Sequence, residues 1–464
     1  MATSFSHSYF LIASLFYLFL FSFFLEKNAH AFQEKKLFHQ HTHTIQVSNL
    51  LPSTACKHSP KVAENSATLK VVHRRGSCIH LNQDNANSPN GSEILHEDQS
   101  RVNSIHSRIS GNLEETKATS LPAKIGASLG TANFIVTVGL GTPTKDLQLI
   151  FDTGSDLTWA RCQPNGDTFD PTQSTSYANV PCSSPLCSSS TGGALLRCSS
   201  SSSTCVYGLQ YGDGSISTGL LGQERLSLGT TDAFDNFYFG CARNIQGTFQ
   251  NVDGLLGLGR GKLSVVSQTA SNYNKLFSYC LPSDSSTGFL SLGASQSNSA
   301  KFVPLSSTSS DFYFLDLTGI TVGGRKLSIP NSVFSTSGTI IDSGTVITRL
   351  PPAAYSALQS AFQELMSQYP KAQPLSILDT CYDFSNFQTV NVPKIVLSFN
   401  GATDVEVAQS GIFFGNGAAQ VCLAFAPNSD PRDKAIFGNK QQLTYEVIYD
   451  VSGGKVGFAA AGCS

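Results

Sequence analysis

The stretch LIFDTGSDLTW, residues 149–159, places Asp152 after an apolar run and at the start of a Thr-Gly-Ser turn. A second stretch, TIIDSGT, residues 339–345, has the same order around Asp342. Farther along the chain, each aspartate is followed by two apolar residues and a glycine, in GLLGLG and in AIFGN. A two-part pattern that recurs in the same order indicates two diverged copies of one β unit.

The composition favours an all-β chain. Of the 464 residues, 39 are glycine, only two are methionine and 13% are charged. Runs such as NFIVTVGLG, CVYGLQYGDGSISTG, FYFLDLTGITVGG and YEVIYDVSGGKVGFA end at glycine-rich turns and predict strands. PPAAYSALQSAFQELMSQY begins with prolines, has helical apolar spacing and predicts a helix. The serine-rich run CSSSTGGALLRCSSSSSTC is interpreted as a surface loop held by its own cysteines.

The N-terminus predicts a signal peptide over residues 1–31. An apolar run at residues 10–25 is followed by Ala-His-Ala, which is typical of a cleavage site. A membrane anchor is an alternative, although the run is shorter than the roughly 20 residues that a span needs. A plastid leader is the other alternative, because the segment is serine-rich and has no acidic residue before Glu26.

The next segment, residues 32–126, predicts a detachable prosegment. It carries 11 Lys and Arg against 8 Asp and Glu, whereas residues 127–464 carry 18 against 23. A basic segment before an acidic body is typical of a prosegment, and a disordered linker has a similar composition. The acidic body is divided into an N-terminal lobe, residues 127–305, and a C-terminal lobe, residues 306–464.

Histidine and cysteine usage limits the chemistry of the body. All ten histidines lie at or before His106, which excludes a Ser-His-Asp triad, a Cys-His pair and a His-ligated catalytic zinc. Twelve cysteines without any C-x-x-C indicate disulfides in an oxidising compartment. We expect no metal and no cofactor, so carboxylates, Lys, Tyr or Cys would have to transfer protons.

The two aspartate turns suit acid–base chemistry if they face each other. Glycine allows close backbone approach, and neighbouring hydroxyl and N–H groups can hydrogen-bond a carboxylate. Two adjacent carboxylates do not both ionise easily, so they share one proton and supply a base and an acid together. The alternative is ordinary turn chemistry, since a single Asp-Thr-Gly-Ser is common.

At these residues the chain resembles the pepsin-type (A1) aspartic proteases, in particular the nepenthesin-like plant branch, close to its plastid nucleoid DNA-binding type and guard-cell type. The resemblance covers residues 133–464, and LKVVHRRGSC and DQSRVNSIHSRI resemble the leader of that branch. It implies a bilobal all-β fold, two related β lobes with the active-site cleft between them. Asp152 and Asp342 would be the catalytic pair that activates water.

The resemblance also implies supporting residues. Thr153 and Ser343 would lock the two turns together, and Ser155 and Thr345 would hydrogen-bond the outer carboxylate oxygens. Tyr211 would lie at the tip of a mobile flap, with Trp159 as its partner. The full set of supporting and flap residues is Thr153, Gly154, Ser155, Ser343, Gly344, Thr345, Trp159, Tyr211, Gly212, Asp213 and Gly214.

Four disulfides follow from the resemblance, and the fifth joins the two body cysteines that remain. The expected pairs are Cys182 with Cys205, Cys187 with Cys198, Cys280 with Cys463, Cys381 with Cys422, and Cys162 with Cys241. The cysteine-rich insert that usually follows the segment matching WARCQP is missing here.

The expected function is an aspartic endopeptidase made as a secreted, acid-activated zymogen. It would act as a monomer on protein or peptide substrates, be blocked by pepstatin-type inhibitors, and be extracellular or endomembrane, including vacuolar. Its basic prosegment, with Arg74, Arg75, Arg101 and Arg108, would cover the cleft. The alternatives are an inactive protease-fold inhibitor or binding protein, a plastid protease that also binds DNA, and a structural β protein. The negative charge of the body disfavours nucleic acid.

Overall fold

The computed structural model describes residues 41–51, 55–57, 68–74, 76–79, 90–110, 134–164, 166–188, 190–191, 193–211, 215–229, 232–247, 249, 252–283, 285–307 and 311–463. The predicted signal peptide and the predicted boundary between residues 126 and 127 lie outside these ranges. They stay predictions, as does the division at residue 305. Within the described ranges, no helix is both long and apolar enough to cross a bilayer.

The described chain is mostly β, as the composition predicts. The strands up to the second aspartate motif are β1 (Thr42–Gln46), β2 (Thr68–His73), β3 (Phe134–Leu140), β4 (Lys145–Asp152), β5 (Trp159–Arg161), β6 (Ala178–Asn179), β7 (Ser190–Thr191), β8 (Ala194–Cys198), β9 (Cys205–Gln210), β10 (Ile216–Leu228), β11 (Asp232–Gln246), β12 (Gly254–Gly257), β13 (Leu276–Cys280), β14 (Thr287–Leu292), β15 (Lys301–Pro304), β16 (Phe314–Leu315), β17 (Leu317–Val322), β18 (Arg325–Lys326) and β19 (Thr339–Ile341).

The remaining strands are β20 (Thr348–Leu350), β21 (Cys381–Tyr382), β22 (Thr389–Pro393), β23 (Ile395–Phe399), β24 (Thr403–Glu406), β25 (Phe413–Gly415), β26 (Val421–Leu423), β27 (Phe425–Pro427), β28 (Ala435–Phe437), β29 (Glu446–Asp450) and β30 (Lys455–Ala459). The α-helices are α1 (Gly91–Ser110), α2 (Val265–Gln268), α3 (Ala270–Tyr273), α4 (Asn331–Ser337), α5 (Pro352–Leu365), α6 (Gln409–Ile412) and α7 (Asn439–Gln442), and 3-10 turns lie at Val47–Leu50 and Pro185–Ser188.

One 16-stranded sheet joins strands from both halves of the body. Its order is β15-β30-β29-β13-β14-β2-β3-β4-β12-β5-β11-β10-β9-β8-β7, and β6 pairs with β10. The other strands form a five-stranded sheet (β16-β19-β28-β20-β27), a four-stranded sheet (β18-β17-β23-β24), a three-stranded sheet (β21-β26-β25) and the pair β1-β22. Because β29 and β30 return to the large sheet, the C-terminal end of the chain is held against the N-terminal half.

The strand pairing confirms the repeat that the two aspartate motifs predict. β4 runs parallel to β12, with Asp152 beside Gly257, and β12 is antiparallel to β5. In the second half β19 runs parallel to β28, and β28 is antiparallel to β20. Each downstream apolar motif therefore lies beside the strand that leads to its aspartate.

The predicted helix is also confirmed. α5 spans Pro352–Leu365 and starts with proline, whose missing N–H has no partner to lose in a first turn. Its buried side chains include Ala354, Leu358 and Phe362, at the spacing of one helix face.

Parts of the predicted prosegment are built into the sheets. β2 lies between β14 and β3, with Leu69 opposite Leu290 and Val71 opposite Val136. Leu69 and Val71 are buried in the main core. β1 pairs with β22. The segment therefore contributes to the core of the full-length chain.

The interpretation of the serine-rich run as a loop is wrong in part. Ala194–Cys198 forms β8 and pairs with β9. Ala194 and Leu196 are buried, while Leu195 between them is exposed. This alternation is that of a strand with one buried face, and the short apolar segment ALL is enough to specify it.

Six disulfides connect the described cysteines. Cys162–Cys241, Cys280–Cys463 and Cys381–Cys422 are the expected pairs, and Cys56–Cys78 adds a bridge before the body. The other two expected pairs are wrong, because the structure has Cys182–Cys198 and Cys187–Cys205. Burial explains the exchange: Cys187 and Cys205 are buried in the same apolar cluster, whereas Cys198 is exposed and Cys182 is half-buried.

We expect Leu69→Ala to destabilise the full-length chain by about 2–5 kcal/mol, because it removes buried apolar volume from the centre of the large sheet. Lys70→Ala on the same strand is the matched control, since Lys70 is exposed. Urea unfolding of both variants measures the difference. Equal, small losses would contradict the insertion of β2 into the sheet.

Candidate active site

The two predicted catalytic aspartates come together in the interior. Asp152 ends β4, and Asp342 directly follows β19. Both residues are 0% exposed. Each strand thus delivers its carboxylate to the point where the Asp-hydroxyl-Gly turns of the two repeats meet.

Thr153 and Ser343 hold the two turns against each other. The N–H of Thr153 donates to Oγ of Ser343 at 3.1 Å, and the N–H of Ser343 donates to Oγ1 of Thr153 at 2.9 Å. The side chain of Asn439 also donates to the carbonyl oxygen of Ser343, at 2.9 Å. Because each turn satisfies a buried N–H of the other, the exchange fixes the relative position of the aspartates.

The predicted hydroxyl partners contact the carboxylates. Oγ of Ser155 donates to Oδ2 of Asp152, and Oγ1 of Thr345 donates to Oδ2 of Asp342 at 2.5 Å. These bonds orient the planes of the two carboxylates.

The two turn glycines are required by close approach. Their N–H groups donate to the aspartate two residues earlier, at 3.0 Å for Gly154 and 3.3 Å for Gly344. A Cβ at Gly344 would overlap Cζ of Arg101 and lie 2.7 Å from Oδ1 of Asp152. A Cβ at Gly154 would lie 2.9 Å from Oδ1 of Asp342. Any side chain at either position would displace the charged groups.

Arg101 of α1 lies between the two aspartates. Its Nη2 donates to Oδ1 of Asp152 at 2.6 Å and to Oδ1 of Asp342 at 2.9 Å. Its Nε donates to Oδ2 of Asp342 at 2.9 Å, and its Nη1 donates to Oδ2 of Asp152 at 3.3 Å. One guanidinium therefore contacts all four carboxylate oxygens.

This cation changes the electrostatics of the pair. Burial opposes ionisation of Asp342, but Arg101 and the hydrogen bonds from Thr345 and Gly344 outweigh it and lower the pKa of Asp342. In turn, the two carboxylates raise the pKa of Arg101 against the effect of burial. Arg101 thus compensates the negative charge of the two carboxylates. Without Arg101 between them, a shared proton would have to do so.

Tyr211 and Trp159 lie together on the side of the site formed by the β9–β10 hairpin. Nε1 of Trp159 donates to the Tyr211 hydroxyl at 2.7 Å. Both rings contact Phe249 edge-on, with centroids 4.9 Å apart in each pair. Burial raises the pKa of Tyr211 well above its usual value, so its hydroxyl stays protonated. The other predicted flap residues lie outside the described residues: Gly212, Asp213 and Gly214.

Comparisons with known proteins identify the family. Residues 134–294 match the family described as xylanase inhibitor N-terminal, and residues 312–460 match xylanase inhibitor C-terminal. An aspartyl protease family protein of Arabidopsis thaliana is 56% identical over 91% of this chain and 93% of its own length. The chain belongs to the pepsin-like plant aspartyl protease family. Aspartyl protease AED1 of Arabidopsis thaliana is 48% identical over 91% of this chain and 92% of that protein.

Other members of the aspartyl protease family are more distant. Aspartic proteinase nepenthesin-2 of Nepenthes gracilis is 35% identical over 72% of this chain and 78% of its own length. The solved structure of conglutin gamma, a basic 7S globulin from lupine seeds, has a TM-score of 0.59 at 20% identity, covering 70% of this chain and 90% of that one. At this identity the likeness concerns the fold, and it agrees with two related β lobes.

The sequence does not predict a role for three residues near the site: Asp98, Arg349 and Phe249. Asp98 of α1 is paired with Arg349 of β20 at 2.9 Å, and both side chains are 0% exposed. In a helix, Asp98 and Arg101 lie one turn apart, so DQSRV carried a signal for a charged helix face. Arg349 and Phe249 had no comparable signal, because their partners come from distant segments.

Arg108 also contacts the site. Its Nη1 donates to the carbonyl oxygen of Gly154 at 3.0 Å, and its guanidinium lies 4.6 Å from the centre of the Phe312 ring. Of the other basic residues expected over the cleft, Arg75 lies outside the described residues. The described residues contain no group of three or more His, Cys, Asp and Glu side chains that could hold a metal.

We expect Arg101→Met to destabilise the full-length chain by about 3–5 kcal/mol at pH 7, because two buried carboxylates lose their counter-charge. Arg101 lowers the pKa of Asp342. Its contribution is therefore present above the ordinary aspartate pKa of about 3.9 and is lost as the pH falls through the lowered value. Urea unfolding at pH 7 and at about pH 3 measures the pH dependence.

Arg225→Met is the control, because Arg225 forms an exposed pair with Asp235. It should have little effect at either pH. A loss for Arg101→Met that is no larger than this control, or that does not shrink in acid, would contradict the arrangement.

Proposed function

We propose that the chain is an aspartic endopeptidase whose active site is Asp152 and Asp342. The observation that carries the proposal is the pair of buried carboxylates, each held by a hydroxyl and a backbone N–H in equivalent turns of the two repeats. Named relatives that match over most of the chain are aspartyl proteases. Oδ1 of Asp152 and Oδ1 of Asp342 both accept a hydrogen bond from Nη2 of Arg101. A reacting group would occupy the position of this nitrogen.

In the open site, one proton is shared by the two carboxylates, as is general for closely spaced pairs. The ionised carboxylate removes a proton from a water molecule, whose oxygen attacks the carbonyl carbon of the peptide bond. The protonated carboxyl group donates to the carbonyl oxygen, which forms a tetrahedral diol. The carboxylate that gave up its proton then takes one from a diol hydroxyl, the C–N bond breaks, and the other carboxyl group donates its proton to the leaving amine, which restores one shared proton.

The same proposal makes the full-length chain a zymogen. Arg101 occupies all four carboxylate oxygens, so water and substrate have no access to them while α1 is docked. Val102 and Ile105 of α1 are buried against Phe312, Phe314 and neighbouring apolar residues. Helix α1 of the prosegment therefore blocks the carboxylates with Arg101 and packs on the body through Val102 and Ile105.

Acid would release this segment through several groups. Burial lowers the pKa of His43 in β1, so pairing of β1 is favoured above the ordinary histidine pKa of about 6.5 and is lost as the pH falls from there through the lowered value. The lowered pKa of Asp342 acts in the same direction at lower pH. Burial raises the pKa of Asp98, which favours docking in acid and opposes the other two. We expect release below about pH 5.

We place the protein in the secretory pathway, outside the cell or in an endomembrane compartment. Six disulfides among the described cysteines support an oxidising compartment, and the apolar leader supports secretion over plastid delivery. Substrates are proteins or peptides, taken by a monomeric enzyme, and a pepstatin-type inhibitor blocks it.

We expect Asp152→Asn and Asp342→Asn each to reduce peptide hydrolysis by at least about 10²- to 10⁴-fold, because each removes one member of the acid–base pair. Casein cleavage at acid pH, with and without a pepstatin-type inhibitor, measures the activity. The fold is followed by urea unfolding of the same samples. Wild-type protein that folds but cuts nothing would instead support an inhibitor or binding protein.

We expect the purified full-length chain to lose its prosegment only in acid. Incubation at neutral and at acid pH, followed by intact mass measurement, detects the loss. The Asp152→Asn chain is the control, since self-processing needs the catalytic pair. Full activity of the uncut chain at neutral pH would contradict the inhibitory role of α1.

A further inference from the structure

A second charged contact joins α1 to the body beside the catalytic pair. Oδ1 of Asp98 accepts the N–H of Val346 at 2.6 Å, and Oδ2 accepts the N–H of Ile347 at 3.1 Å. Oδ2 also lies 2.9 Å from Nη2 of Arg349. Two backbone donors and one guanidinium therefore surround a single carboxylate, which is an arrangement that recognises an anion.

On the body side, the carboxylate cradle consists of Val346, Ile347 and Arg349, which lie in the segment that follows Asp342. Arg349 is held in place by its own Nη1, which donates to the carbonyl oxygen of Ile347 at 2.9 Å. Burial lowers the pKa of Arg349, and Asp98 opposes this effect. Among the described residues, the Nε and Nη2 of Arg349 have no partner in hydrogen-bond geometry, so Nη2 holds Asp98 as an ion pair. Once α1 leaves, a cation and two N–H groups lose their partner.

The internal repeat places Arg349 at the position equivalent to Trp159 of the N-terminal half. Arg349 pairs with Ile436 in the C-terminal half as Trp159 pairs with Leu255 in the N-terminal half. Each is the seventh residue after its aspartate. Trp159 holds the flap residue Tyr211. The equivalent position of the other lobe thus carries a guanidinium instead of an indole.

The cradle lies close to the reacting centre. Asp98 precedes Arg101 by less than one helical turn, which is a rise of about 4.5 Å, and an extended peptide covers this in one or two residues. Next to the cradle, Leu95 of α1 is buried in an apolar cluster with Val346, Ile347 and Leu378. The body surface that α1 covers therefore combines one cationic side chain, Arg349, with an apolar cluster beside it.

We propose that Arg349 and the N–H groups of Val346 and Ile347 form a substrate subsite for a side-chain carboxylate. This subsite rests on the proposed endopeptidase function. Asp98 is the internal occupant of this subsite in the precursor. A peptide with aspartate or glutamate within about three residues of the scissile bond takes its place in the processed enzyme. The subsite determines specificity and takes no part in proton transfer.

The test compares matched peptides with the processed enzyme at about pH 5.5, where free side-chain carboxylates are ionised. A peptide series places Glu, Gln or Leu at each position within three residues of one cleavable bond. At one position we expect kcat/KM for Glu to exceed that for Gln by about 10- to 100-fold, the range for a charge-assisted hydrogen bond.

Variants at Arg349 assign the preference. In Arg349→Met the Glu/Gln ratio should fall to about 1, and in Arg349→Lys it should be partly retained, since the charge remains but the planar fork is lost. The ratio is taken within each enzyme, so a general loss of activity cancels. Arg325→Met is the matched control, because Arg325 is exposed and pairs with Glu364 at the surface. A wild-type ratio near 1 at every position, or a preference that survives in Arg349→Met, would overturn the proposal.

A docking measurement on the full-length chain separates this proposal from the proposed function. Backbone hydrogen exchange of α1 is compared in the unchanged chain and its Asp98→Asn form, with Glu93→Gln as the exposed control. If no peptide is cleaved, the endopeptidase proposal fails, and exchange of α1 at least about 10-fold faster in Asp98→Asn than in the unchanged chain still supports a site that binds a carboxylate. Equal exchange rates would overturn the site.

Discussion

The contact of Arg101 with Asp152 and Asp342 is the interaction on which the rest of the site depends. Two carboxylates that are buried beside each other repel, so they need a shared proton or a cation. In the full-length chain the cation comes from α1, and it contacts all four carboxylate oxygens. The two turn glycines leave room for this guanidinium, because a Cβ at Gly154 or Gly344 would meet Arg101 and the opposite aspartate.

The segment before residue 127, the predicted prosegment, is part of the folded structure. β2 lies inside the large sheet, while α1 carries Arg101 and Asp98 into the body on one helix face. The two charges have different partners: Arg101 contacts Asp152 and Asp342, and Asp98 contacts Arg349. Removal of α1 would therefore expose an anionic centre and a cationic neighbour at the same time, which is the arrangement from which substrate preference is inferred.

Much of this arrangement follows from local sequence. Asp152 and Asp342, with the hydroxyl residues after them, could be predicted because the repeat doubles a short motif whose chemistry is local. The disulfides around the serine-rich run could not, because Cys182, Cys187, Cys198 and Cys205 are close in sequence and any pairing is short enough to close. Burial of Cys187 and Cys205 on one side of the β8–β9 hairpin decided between the pairings.

The all-β class, the two related units, the two equivalent aspartates and a basic segment ahead of an acidic body can all be predicted from the chain, since each rests on composition or on residues adjacent in sequence. Only the tertiary structure determines which basic residue of that segment contacts the two aspartates, namely Arg101. It also brings Asp98 to Arg349. The physical reason is that these contacts depend on how α1 lies across strands from both halves. Charge pairing over 241 residues leaves no local pattern in the sequence.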